Sequence, residues 1–308
     1  GERQIFILAL YWAIIQISGK HIPFIIDTPY ARIDANHREE ISSKFFPNIS
    51  SQVIILSTDE EITKDYYNII KPYISKEYLL KKLEYLLIKL DSTSVETKKY
   101  KVLLANNVVA SILSTFSASF QSKGIYLNES VLSDKLNKKI FSDKITIIED
   151  SPNGILNSNF DSEGTLKKKQ VLVDKGIFVK EINNIEYAMK LEKDATGNAN
   201  GVNNLYIEKG NKTFDELVTE LNNGIIIDEA YGFHAGVDKK TGNISVQAEG
   251  LLVQNGKITK GLNMIILSTN FFEVFTNVIE VGNDLSKFSL SVSTPSLLLD
   301  NITIAGKE

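Results

Sequence analysis

GLLVQNGKIT, Gly250 to Thr259, sets alternating runs on either side of Asn255-Gly256. Two strands of period two joined by Asn-Gly read as a hairpin, because the mirror-image turns that match strand twist need positive φ at both central residues. VLVDKGIFVK, Val171 to Lys180, repeats the arrangement around Asp174-Lys175-Gly176. Between the two, Thr213-Phe214-Asp215-Glu216 is a capping box that opens a helix over Phe214 to Leu221, each polar side chain satisfying an orphan backbone N–H of the first turn. Upstream, the pattern predicts a strand at Tyr100 to Leu104 and an uncharged helix at Asn107 to Gln121, and KKLEYLLIKLDSTSV, from Lys81, reads as a helix with leucines on one face. Residues 81–308 are therefore expected to form a β-rich α+β domain.

Towards the start of the chain the rhythm changes. Periodicity predicts helix (about 3 to 18), strand (23 to 27), helix (35 to 46), strand (52 to 57) and helix (61 to 71), a βα alternation that implies a parallel sheet. IPFII is a short apolar run that delivers Asp27 at the carboxyl end of a central strand, where open α/β sheets place ligands. The apolar stretch Ile5 to Ile17 is shorter than the roughly 20 residues a bilayer crossing needs, so it reads as a buried helix. Residues 1–80 are expected to pack separately, as a truncated α/β lobe in which the apolar surface of the helix Ile5 to Ile17 is left exposed or covered makeshift.

The chain's net charge of −4 and pI near 5.6 give no basic footprint, and residues 1–80 hold 8 Lys/Arg against 10 Asp/Glu. The absence of cysteine removes disulfides, thiolate zinc sites and cysteine nucleophiles together, and fits a reducing, cytoplasmic setting. With no initiator Met, basic n-region or cleavage site, no export signal is expected and the chain reads as a fragment.

Glycine and asparagine cluster in TGNANGVNN, where positive φ is cheap. Thr196, Gly197, Asn198, Gly201, Asn203 and Asn204 read either as a structural loop or as contacts for a peptide or partner strand, with the hairpin Gly250 to Thr259 as a second candidate. His234, in GFHAGVD, reads as a turn or interface histidine more readily than as a ligand. The acids Asp228-Glu229 and Asp161/Glu163 read as capping or surface groups, and no catalytic residue is assigned.

NNVVASILSTFSASF, FDSEGT, TGNANGVNNLYIEKG, GFHAGVDKKTGNISVQAEGLLVQNGKI, VIEVGNDL and LDNITIAG, in this order, resemble the C-terminal domain of the TldD/PmbA family, and within it the PmbA subunit, also called TldE. The resemblance implies a heterodimeric zinc peptidase acting on unfolded or modified peptides. In the TldD subunit the metal is held by a His-Glu-x-x-x-His helix and a distant cysteine, whereas the helix at the corresponding place here reads SILSTFSASF, Ser111 to Phe120. A catalytic zinc ion needs about three protein ligands. The histidines are His21, His37 and His234, none followed by Glu, and only His234 lies beyond residue 81. Zinc is thus expected only on a TldD partner, and this chain is expected to be the non-catalytic subunit.

Residues 1–80 resemble the C-terminal end of DndD, the SMC-like ATPase of DNA phosphorothioate modification, in GERQIFILALYWAI, IPFIIDTPYARID, HREEI, FFPNISSQVIILSTDEEI and KPYISKEYLL. That resemblance implies Gly1, Glu2, Arg3 and Gln4 for the γ-phosphate of a nucleotide on a partner head, Asp27 for Mg²⁺ and Asp34 for a dimer interface. Thr28 and Thr58 depart from the glutamate and histidine common in ABC relatives. The phosphate cradle G-x-x-x-x-G-K-[ST] is absent: Gly19-Lys20, Gly256-Lys257 and Gly306-Lys307 have neither the earlier glycine nor the following Ser/Thr. Mg-ATP is therefore expected only in a complete ATPase head, and nucleic acid only through this alternative. A junction near Leu80 to Lys82 between two partial families reads as an artificial or misassembled fusion, a third alternative without activity.

Overall fold

The computed structural model describes residues 2–18, 24–27, 30, 33–49, 53–57, 62–74, 88–89, 92–154, 158–287 and 291–306. They divide into two compact units, Gly1–Leu80 and Lys81–Glu308.

In the first unit, α1 (Glu2–Ser18) precedes β1 (Phe24–Asp27), α2 (Ala35–Glu40), α3 (Phe46–Ile49), β2 (Val53–Leu56) and α4 (Lys64–Ile70). β1 and β2 pair in parallel, Phe24 opposite Val53 through Asp27 opposite Leu56, with Asp27 closing its strand. The helix expected over 35 to 46 is interrupted: a π-helical turn, Ile41–Phe45, joins α2 to α3. Ile41 and Ser42 are buried there, the Ser42 hydroxyl donating to the Arg38 carbonyl and meeting the Tyr30 hydroxyl. A small core of Ile26, Tyr30, Ile33, Ile41, Phe46 and Ile70 lies on one side of the strand pair. On the other side Ile25, Ile54 and Leu56 are exposed, as are Phe6, Leu10, Tyr11 and Ile17 of α1.

The second unit contains two sheets. Its elements are β3 (Ser92–Thr93), β4 (Lys98–Leu104), α5 (Asn106–Phe116), α6 (Ser122–Tyr126), β5 (Ile147–Glu149), β6 (Gln170–Asp174), β7 (Ile177–Phe178), α7 (Ile185–Lys190), β8 (Leu205–Ile207), α8 (Phe214–Leu221), β9 (Gly224–Tyr231), β10 (Asn243–Gln254), β11 (Lys257–Asn270), α9 (Phe271–Thr276), β12 (Val278–Val281), β13 (Ser286–Lys287), β14 (Val292–Thr294) and β15 (Leu297–Ala305). Seven strands run in the order β12-β15-β4-β9-β10-β11-β3, and β15 also pairs with β11, so β15, β4, β9, β10 and β11 form a closed ring of pairings. Closure removes free edges. The second sheet runs β13-β14-β8-β5-β6-β7.

Both expected hairpins are present, and their turns have the required backbone: φ is +44° and +80° at Lys175 and Gly176, and +52° and +72° at Asn255 and Gly256. The capping box at Thr213 closes in both directions, Thr213 Oγ1 accepting from the Glu216 N–H and Glu216 Oε2 from the Thr213 N–H. Gly250 lets β10 approach β9, since a Cβ there would lie 1.9 Å from the Ile226 carbonyl oxygen.

Two elements of the second unit differ from expectation. Ser92–Thr93, within the helix expected from Lys81, forms strand β3 on β11, and Ile88–Lys89 is helical; residues 81–87 and 90–91 lie outside the described part. The helix expected to reach Gln121 ends as α-helix at Phe116 and continues as a 3-10 turn, Ser117–Phe120. Three hydroxyls bond back to helix carbonyls, Ser111 to Asn107, Thr115 to Ser111 and Ser117 to Ser114, competition that weakens a helix where serines cluster. α5 nevertheless buries Val108, Val109, Ile112, Leu113 and Phe116 in the main core, beside β14 and β9.

Candidate functional site

The side of α5 opposite its core-facing residues is open to solvent. It presents Ser114 exposed, with Ser111 and Thr115 half-buried, and Ala118 is exposed on the 3-10 turn that follows. At the start of α5, Asn107 Nδ2 donates to the Asp228 carbonyl at 2.8 Å, and Asn106 Nδ2 donates to the Asp284 carbonyl at 3.0 Å. Asp284 in turn accepts from the Ser296 N–H and hydroxyl. The hydroxyls of Ser111 and Thr115 are spent on helix carbonyls.

These donors do not fit a hydrolytic zinc ion. Such an ion takes about three nitrogen, sulfur or carboxylate ligands at about 2.0–2.3 Å and keeps a position open. The α5 face offers hydroxyls, the chain has no cysteine, and among the described residues no group of three His, Asp or Glu is placed to hold a metal. His234 stands on the turn after β9, which Gly232 closes by accepting from the Ala235 and Gly236 N–H groups, and its side chain is exposed.

Of the two readings of the Gly/Asn loop, the burial of its residues favours the structural one. Thr196, Gly197, Asn198 and Gly201 are buried, Asn203 and Asn204 half-buried. The cause lies some 50 residues upstream, at the end of β5. Glu149, fully buried, accepts at Oε1 from the Asn203 N–H (3.1 Å), the Asn204 N–H (3.3 Å), Asn198 Nδ2 (3.5 Å) and the Ser151 hydroxyl. Thr196 and Asn183 bond reciprocally through backbone and side chain, and Gln170 Nε2 reaches the Thr196 carbonyl and Asn198 Oδ1. Gly197 and Gly201 have φ of +75° and +83°, and a Cβ on Gly197 would lie 2.7 Å from the Leu166 carbonyl oxygen. Burial pushes the Glu149 carboxyl above its ordinary value, against the pull of the donors from Ser151, Asn203 and Asn204.

Other acids serve the backbone. Asp161 accepts from the Glu163, Thr165 and Ala199 N–H groups, and Glu163 from the Ile185 N–H at the start of α7. Asp228 pairs with Lys89 at 2.8 Å. In the first unit Asp34 is the N-cap of α2, accepting from the His37 N–H, and the His37 ring nitrogen at 2.5 Å holds its carboxyl below the ordinary range. Asp27 is exposed; Gly1, Thr28, Thr58, His21 and the side chains of Glu2, Arg3 and Gln4 lie outside the described residues.

Local reading did not point to Glu149 or Gln170. IIED followed by Ser-Pro-Asn reads as a strand running into a turn, and the partners that make Glu149 central are distant in sequence.

Comparison with known proteins places this fold. The family described as PmbA/TldA metallopeptidase C-terminal domain matches residues 97–306. The chain is 30% identical over 224 residues to Metalloprotease PmbA of Escherichia coli O157:H7, covering 72% of this chain and 49% of that protein. A crystal structure from Thermotoga maritima, described as a candidate modulator of a DNA gyrase, superposes with a TM-score of 0.69 at 28% identity, over 72% of this chain and 53% of the other. TldE from Thermococcus kodakarensis shares the fold, with a TM-score of 0.66 at 21% identity over 79% and 56% of the two chains. The chain thus spans about half the length of the relatives it matches, and residues 1–80 lie outside the family match. Through the α+β domain of residues 97–306, this chain belongs to the PmbA/TldA metallopeptidase family.

Proposed function

We propose that this chain is the TldE-type, non-metal side of a two-subunit zinc peptidase acting on unfolded or modified peptides, working in the cytoplasm beside a TldD-type subunit that supplies the metal. The observation that carries the reading is the α5 face, where Ser111, Ser114 and Thr115, with Ala118 on the turn that follows, offer hydroxyls and a methyl group but no metal ligand or base. The hairpin tip at Asn255-Gly256 and His234, which are solvent-accessible, are the proposed contacts for peptide or partner, while the largely buried loop from Thr196 to Asn204 supports the domain from within. Co-expression of the full chain with a tagged TldD-type subunit tests the pairing. Stoichiometric co-purification is expected, and separate elution of the two chains on a sizing column would overturn it.

A second reading rests on Asp27, exposed at the carboxyl end of a parallel strand. It makes residues 1–80 the tail of a DndD-like ATPase, joined to the peptidase domain by a fusion that adds no activity. Without a phosphate cradle, the carboxylate has no bound nucleotide whose Mg²⁺ it can hold. Calorimetry of the full chain with Mg·ATP is expected to show no heat of binding. Micromolar binding that disappears in Asp27→Ala would contradict this.

A further inference from the structure

The ring of strands turns one face of β9, β10 and β11 outward, and that face is not uniformly polar. Tyr231, Gln247, Ile266 and Ala305 stand opposite one another across four neighbouring strands, while the alternate residues Ala230, Ala248 and Ile265 point into the core. Tyr231 and Ile266 are 45% and 42% exposed, and Met264 beside them 58%. In the next row Glu229 lies directly opposite Glu249.

Both flanking strands bulge at this row. Asp228 is the extra residue between the pairs Ile227–Gly250 and Glu229–Glu249, and Asn263 and Met264 lie between Leu262–Gly250 and Ile265–Ala248, with Met264 at a φ of +51°. Bulges re-aim side chains and concentrate beside functional sites. Like charges directly opposite one another destabilise a sheet. Among the described residues Lys89 is the cation beside this row, 2.8 Å from Asp228 and 3.8 Å from Glu249, which sets the carboxylates of Asp228, Glu229 and Glu249 against one ammonium. Burial, then Glu249 and Glu229, hold the Tyr231 hydroxyl above its ordinary value, so these charges are felt across the apolar row.

We propose that this face docks a peptide segment carrying a lysine or arginine next to an apolar side chain, the cation against Glu229 and Glu249 and the apolar group on Tyr231, Met264 and Ile266. The inference rests on the peptide-handling reading above and names its substrate class. Charge complementarity selects the occupant: excess carboxylate favours a cationic segment and repels anionic lipid and nucleic acid. Size selects a peptide over a folded partner, because stable protein interfaces engage about 20–30 residues a side, far more than this row supplies.

The test is fluorescence anisotropy on the full chain with two labelled, unstructured peptides of equal length, one alternating lysine with leucine and the other glutamate with leucine. The lysine peptide is expected to bind, and to weaken about tenfold or more in Glu229→Gln/Glu249→Gln, since rim charges set complementarity. Ile266→Ser should weaken it as well. Raising the salt to about 1 M, where the Debye length falls to about 3 Å, should abolish the preference over the glutamate peptide. Removing the opposed carboxylates relieves repulsion, so thermal melting of the double variant should be unchanged or raised. Equal binding of both peptides, undiminished binding by the double variant, or no binding of the lysine peptide would overturn the proposal. Because no partner subunit is present, failure here leaves the pairing experiment standing, and failure of pairing leaves this result standing.

Discussion

Phe271→Ala is expected to lower the free energy of unfolding of the peptidase-family domain by about 3–5 kcal/mol, the range for truncating a buried aromatic ring. Phe271 is fully buried where α9 begins, and its ring meets four others: Phe116 of α5 stacked at 4.4 Å between centroids, Phe275 at 5.3 Å, Phe141 at 5.5 Å and Phe272 at 5.7 Å. It therefore joins α5, α9 and the segment before β5. Removing the ring leaves a cavity walled by groups fixed in three different elements, which relax only in part. Phe272, half-buried, is the control and should lose much less. Denaturant unfolding of the full chain followed by near-UV circular dichroism measures both. A loss below about 1 kcal/mol for Phe271→Ala, where cavities normally cost several, would mean that this cluster is not the centre of the core.

Glu149→Leu should be as damaging, by a different route. The apolar side chain would leave the Asn203 and Asn204 N–H groups and the Ser151 hydroxyl without the Glu149 acceptor, while Asn198 Nδ2 keeps the Gly201 carbonyl. Each buried orphan costs roughly 1–3 kcal/mol, so a total of several kcal/mol and rapid hydrogen exchange throughout 196–204 are expected. Glu149→Gln keeps one acceptor oxygen and should lose less. The pH dependence follows from burial. Because the folded state holds the Glu149 proton more tightly than the unfolded chain does, its contribution is full below the unfolded value near 4.5 and is lost as pH rises through the raised folded value. In Glu149→Gln that fall should flatten, which denaturation at a series of pH values would read. An unchanged slope would place the titration elsewhere.

These two residues mark the boundary of what the sequence discloses. The hairpins at Lys175-Gly176 and Asn255-Gly256, the capping box at Thr213 and the strand ending at Asp27 are local events, each governed by backbone preferences within a few residues, and they are legible. The α5 segment is legible as a helix by its apolar spacing, while its early end at Phe116 depends on hydroxyls choosing between side-chain and backbone partners. The closed ring requires β15, the last strand, to pair with both β4 and β11, and nothing in its own residues states that. Glu149 and the Gly/Asn loop are likewise a long-range match: the loop's composition shows that it bends sharply, but not that a buried carboxylate holds it. Asp228, Glu229 and Glu249 are visible in the sequence as acids, and the paired bulges that bring them into one row are not.

The most direct test of the account is the zinc content and peptidase activity of the purified full chain, alone and with a TldD-type subunit, on unfolded peptide substrates. Catalytic zinc needs about three protein ligands, and the described residues of this chain offer no such group. No stoichiometric zinc and no cleavage are expected of the chain alone, with both appearing in the paired complex. One zinc per chain together with cleavage in the absence of any partner would contradict it.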